Sequence, residues 1–155
     1  MKTFIRSFVF VVTALVFAGC GNPGQAFVGL YSVNGHQTLT MNLPDGAKTQ
    51  NVDVRGNANI YEGLDSDLIL NLDEAPGCVI KLNADNSENA NIVPGSSCTM
   101  NSGTNTITVT FNSGMAIMRG HIVTYTASGS LTWVGNGATV TGSFNDTLTL
   151  TKLSK

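Results

Sequence analysis

Charged side chains are scarce in this chain of 155 residues: Asp, Glu, Lys and Arg make up 12% of it, about half the share usual in globular proteins. The eight cations form no cluster or stripe. A nucleic-acid partner needs clustered Lys and Arg to neutralise phosphates, so that class is excluded. Histidine occurs twice and cysteine three times. His36 and His121 stand outside H-E-x-x-H and the other ligand spacings, and no C-x-x-C occurs. No G-x-S-x-G elbow is present either, and "GNGATV" (135–140) starts like a phosphate-cradling loop but lacks its last Gly. The acids Asp65, Asp67, Asp73 and Glu74 crowd into a turn region beside a Leu-rich run, whereas sugar hydrolysis needs two carboxyls set across a groove. Asn83, Asp85 and Ser87 have calcium-loop spacing that fails at the sixth position, Glu88, and the twelfth, Pro94. No catalytic residue, cofactor or metal site is therefore expected, and the chain reads as non-enzymatic.

Long apolar runs are equally rare, and the main one stands at the start. Lys2 and Arg6 head an apolar body from Phe8 to Ala18, the small pair Ala18-Gly19 follows, and Cys20 comes next. That is the three-part layout of a secretory signal. The body is about half the roughly 20 residues a membrane-spanning helix requires before Gly21, Asn22, Pro23 and Gly24 end it. A plain secretory signal explains the small residues but not the cysteine directly after them. Phe17-Ala18-Gly19-Cys20 resembles the lipobox of bacterial lipoproteins, with Phe17 where that family usually has Leu. The resemblance implies removal of residues 1–19, lipid on Cys20, a membrane partner held through that lipid, and a tether over 20–26. Gly21 in place of an Asp after the cysteine implies the outer membrane of the cell envelope. A plain secretory signal or an uncleaved anchor helix remains the alternative.

Loss of residues 1–19, with Lys2 and Arg6, takes the net charge from −2 to −4 and leaves 136 residues, enough for one ordinary domain, which is placed at 27–155 after the tether. With Cys20 lipidated, Cys78 and Cys98 are an even pair in an oxidising compartment, and a disulfide is expected.

Threonine, asparagine, serine and glycine supply the polarity that charge does not. Thr is β-branched, and Asn and Gly accept positive φ, so the mixture favours strands and tight turns. From Phe27 on the pattern has period two. In "TNTITVTF" Ile107, Val109 and Phe111 alternate with threonines, and near the end Leu148 and Leu150 do the same. Turn signals stand at Asn34-Gly35, Pro44-Asp45-Gly46, Ser113-Gly114, Ser128-Gly129 and Asn136-Gly137. Short strands between them merge to about eight to ten. Ser66–Ala75 is read as a strand in preference to a helix, because Leu68, Leu70 and Leu72 alternate. The expected fold is all-β, an antiparallel barrel or a sandwich.

Gly29-x-Tyr31 in "FVGLY" resembles the opening of lipocalin-like barrels. The lipobox, this opening, the segment between the cysteines and the Thr-rich terminal hairpins together are similar to small outer-membrane β-rich lipoproteins, a likeness that carries no activity with it. "YTASGSLTWVGNGATV" (125–140) resembles the signature of membrane-bound inhibitors of c-type lysozyme. There Ser128, Gly129 and Ser130 match an interaction loop and Trp133 its tryptophan, while the family's Tyr after Ser-Gly and Lys after Trp are missing. Two expectations follow: a lipid-anchored domain that binds a protein partner or a small apolar ligand, or an inhibitor that presents a protruding loop. An apolar cavity would mark the first, and a filled core with a rigid exposed loop the second.

Overall fold

In a computed structural model of the chain, residues 22–73 and 75–153 are described. The signal segment, Cys20 and Glu74 lie outside them. The described residues form nine strands: β1 (Gly29–Leu43), β2 (Gly46–Glu62), β3 (Leu68–Leu72), β4 (Val79–Ala84), β5 (Asn89–Ile92), β6 (Ser97–Ser102), β7 (Asn105–Arg119), β8 (Ile122–Gly135) and β9 (Ala138–Lys152). All belong to one antiparallel sheet in the order β5-β4-β3-β2-β1-β9-β8-β7-β6, and pairing of β5 with β7 closes it into a ring. The fold is thus an antiparallel β-barrel. β6 stays outside the ring as a hairpin partner of the first half of β7.

Strand length shapes the barrel. β1, β2, β7, β8 and β9 run for 14 to 17 residues, whereas β3, β4 and β5 have 4 to 6. The short strands complete the ring at one end only, and the long ones continue beyond them as an open trough. The closed end is packed solid. Tyr31, Leu68, Leu70, Val123, Leu148 and Leu150 point inward with at most 1% exposure, each contributing roughly 1.5–3 kcal/mol for the aliphatic side chains.

The segment expected to be a tether runs into that core. Asn22 Oδ1 accepts a hydrogen bond from Gly24 N at 3.0 Å, Pro23 starts a 3-10 turn over Pro23–Phe27, and Phe27 is fully buried. Proline at the first position is preset for such a turn. The Tyr31 hydroxyl donates to Phe27 O at 2.5 Å, and Lys152 Nζ donates to Ala26 O at 3.0 Å. The turn therefore caps the closed end.

Two turn signals are turns: Pro44-Asp45 with Gly46 joins β1 to β2, and Asn136-Gly137, at φ 49° and 77°, joins β8 to β9. Such positive values at both central residues suit Asn-Gly. Three signals correct the sequence reading. Asn34-Gly35, Ser113-Gly114 and Ser128-Gly129 lie inside β1, β7 and β8. A Cβ on Gly35 would sit 2.2 Å from Thr147 O, and one on Gly129 2.1 Å from Thr110 O. These glycines allow neighbouring strands to approach. The register shift between Phe111 and Ser113 makes the second site a bulge in β7. The short segments proposed on either side therefore merge into long strands.

Candidate functional site: an apolar cleft at the open end

The trough keeps the period-two pattern of the barrel without an opposite wall to cover it. From β1 it receives Gln37, Leu39 and Met41; from β6 and β7, Met100, Ile107 and Val109; from β8 and β9, Leu131, Trp133 and Phe144. They enclose a cavity of about 220 Å³. Register explains its location. Gly142 on β9 lies opposite Met41 on β1 and Leu131 on β8, so the middle of that row has no side chain. The place a Cβ would take on Gly142 is held by Thr40 O of β1, 2.3 Å away. Below it, a Cβ on Gly129 would lie 2.6 Å from the Phe144 ring, so glycine there gives the ring its place. Phe144 meets Phe111 edge-on with centroids 5.3 Å apart, forming a floor.

A polar layer lies beside that floor. Asp146, two residues from Phe144 on the same inward face of β9, is 7% exposed. Its Oδ1 accepts a hydrogen bond from Gln37 Nε2 at 2.8 Å. Burial pushes its carboxyl up to about 6, with the Gln37 hydrogen bond acting in the opposite direction. Tyr125 is fully buried, and its hydroxyl has no hydrogen-bond partner among the described residues. Burial, and then the negative charge of Asp146, push that phenol well above its ordinary range.

The expected site residues fall into separate places. Ser128, Gly129 and Ser130 form no loop; they are in the middle of β8, where Ser128 Oγ hydrogen-bonds Ser113 Oγ at 2.8 Å on the outer face. A protruding inhibitory loop is therefore not built there, because Gly129 serves strand packing. Trp133 belongs to the cleft wall. Cys78 and Cys98 form a disulfide with Cα atoms 4.6 Å apart, tying the β3–β4 connection to β6, the outermost strand of the trough. His36, in the middle of β1, pairs with Asp53 at 2.8 Å on the exposed face, and His121 lies in the β7–β8 turn. Asp67 Oδ2 accepts from Ala84 N at 2.8 Å, Asp65 faces Lys81 at 3.7 Å, and Asp73 is exposed. None of these acids faces the cleft. Among the described residues no group of three or more His, Cys, Asp or Glu is placed to hold a metal.

Sequence reasoning missed Gln37, Leu39, Met41, Met100 and Asp146. For Asp146 a signal existed: it has the parity of Phe144, Leu148 and Leu150, which makes it a carboxyl at an inward position. For the apolar residues none existed, since strand alternation is the same over a filled core and over a cleft. A second hollow, about 820 Å³, lies on the outer wall near the closed end beside Leu30, Tyr61, His121 and Leu153. Comparison with protein-family models, with curated proteins and with solved structures finds no match.

Proposed function

We propose that this protein is a lipid-anchored, non-enzymatic barrel of the cell envelope that holds a small apolar ligand in the cleft at its open end. The observation that carries the reading is the cleft itself: aliphatic, thioether and aromatic side chains from β1, β6, β7, β8 and β9 face a common space with one amide among them. Such a lining gains from removing hydrocarbon from water. Its volume of about 220 Å³ is below the roughly 300–1,000 Å³ of pockets for drug-sized molecules, which suits a single chain or ring. The anchor fits this geometry. Cys20 is two residues before Asn22, a reach of at most about 7 Å, and Asn22 starts the turn that caps the closed end. Lipid on Cys20 would hold that end at the bilayer with the cleft facing away from it.

Trp133 is the sole tryptophan of the chain and lines the cleft, so its emission is an internal reporter. Titration with N-phenyl-1-naphthylamine, an apolar dye, is expected to quench Trp133 and raise dye emission with saturation. Leu39→Asp combined with Val109→Asp should weaken binding at least tenfold, because each substitution places a carboxylate against the apolar body of the ligand. Equal binding by wild type and the double variant would place the dye elsewhere and remove the basis of the proposal.

A further inference from the structure

The cleft ends on groups that hydrocarbon does not satisfy. Gln37 lines the cavity, and its amide nitrogen is committed to Asp146. That assignment is required by the carboxylate acceptor and leaves Gln37 Oε1 as an acceptor. Behind it the buried Asp146 accepts a hydrogen bond from this one side chain among the described residues. Beside it the Tyr125 hydroxyl is buried with no partner among the described residues. On β8 Tyr125 is diagonal to Asp146, whose direct partner there is Ala127. The layer thus combines a spare amide oxygen on the cleft wall with, behind it, a carboxylate that has a single donor and an unpaired hydroxyl.

We propose that the cleft selects apolar molecules bearing a protonated amine, the ammonium donating to Gln37 Oε1 with the Asp146 carboxylate behind it. This deepens the proposed function and rests on the cleft being a binding site. A cation matches the layer because it supplies hydrogen-bond donors to acceptors and opposite charge to a poorly hydrated carboxylate. A carboxylate ligand would meet like charge and an acceptor facing an acceptor. A hydroxyl would donate one hydrogen bond without charge.

The surroundings single out Asp146 as the source of charge. The inward neighbours on the facing elements are Gly35 and Gln37 of β1, Val52 and Val54 of β2, Gly114 of β7, and Tyr125 and Ala127 of β8. Tyr125 alone among these titrates, and it is held in its neutral form. His36 and Asp53 pair on the outer face, and Lys48 pairs with Asp45 beside the β1–β2 turn at 2.6 Å.

Decylamine, 1-decanol and decanoate share a chain and differ in head group, and Trp133 emission reports binding of each. At pH 8 decylamine is expected to bind at least tenfold more tightly than decanol, with decanoate weakest. Asp146→Asn should bring amine and alcohol to within about twofold of each other. Asp53→Asn removes an exposed charge outside the barrel and should leave the preference intact. At pH 5 the wild-type preference should shrink, since Asp146 protonates near 6 while decylamine stays cationic. Equal binding of amine and alcohol by wild type, or a preference that survives Asp146→Asn, overturns the assignment. Saturable decanol binding without amine preference sinks this inference alone; failure of all probes to bind sinks the cleft reading and this inference with it.

Discussion

Asp146 is the residue where the sequence pattern and the chemistry of the interior conflict. Its place on β9 is one an aliphatic side chain would ordinarily fill, between Phe144 and Leu148 on the inward face. Burial raises its carboxyl from 3.8 to about 6, so the folded state holds this proton more tightly than the unfolded chain does. The stability it contributes is therefore complete below the unfolded value and is lost as pH rises through about 6. The shift corresponds to roughly 3 kcal/mol between those limits. Urea unfolding at pH 8 and pH 5 should show that Asp146→Asn is the more stable protein at pH 8. The difference between the two proteins should narrow by about 1–1.5 kcal/mol over that interval, with the remainder recovered only below the unfolded value. A difference independent of pH would mean that Asp146 is not buried as described.

At the scale of elements, two identical dipeptides behave in opposite ways. Asn34-Gly35 runs through β1, whereas Asn136-Gly137 reverses the chain. Local preference permits both conformations. What decides is the space beside each glycine: a Cβ on Gly35 would meet Thr147 O at 2.2 Å, and one on Gly137 would meet nothing within 4 Å. β6 escaped the sequence reading because "SCTMNS" has one large apolar residue, Met100, and no alternation to read. That strand pairs with β7 alone in the sheet and is fastened at Cys98 to Cys78. Closing the intervening loop contributes on the order of 3 kcal/mol in the chain-entropy account. Cys78→Ala with Cys98→Ala should lower stability to denaturant by about that amount and weaken dye binding, since Met100 on β6 forms one wall of the cleft. Unchanged dye affinity in a folded double variant would show that β6 holds its position without the disulfide.

At the scale of the whole molecule, β9 presents hydroxyls outward and hydrocarbon inward, with Thr139, Thr141 and Ser143 outside against Val140 and Phe144 inside. An outer-membrane barrel has the reverse arrangement, with its apolar band facing lipid. The proposed function therefore gives attachment to a bilayer to a separate device. Cys20 supplies that device in the proposed function. Metabolic labelling with a fatty-acid analogue should mark the wild type, and Cys20→Ala should abolish the label and release the domain from the membrane fraction. Label incorporated by the variant would remove the anchor from the account.

Residue order alone carries the all-β class, the strand alternation that separates inward from outward faces, the turns at Asp45-Gly46 and Asn136-Gly137, and the pairing partner of Cys78. The first three follow from local conformational preference and from period two, and the pairing follows from the lipobox resemblance, which takes Cys20 out of a count of three. Three-dimensional packing was needed to close the sheet through β5 and β7, to make three glycine signals into packing sites, and to fill one end while the other opens as a cleft. Those outcomes depend on register between distant segments, such as Tyr31 opposite Lys152 and Met41 opposite Gly142. A one-residue slip between β1 and β9 would put Gln37 and Asp146 on opposite faces, because side chains alternate with every step along a strand.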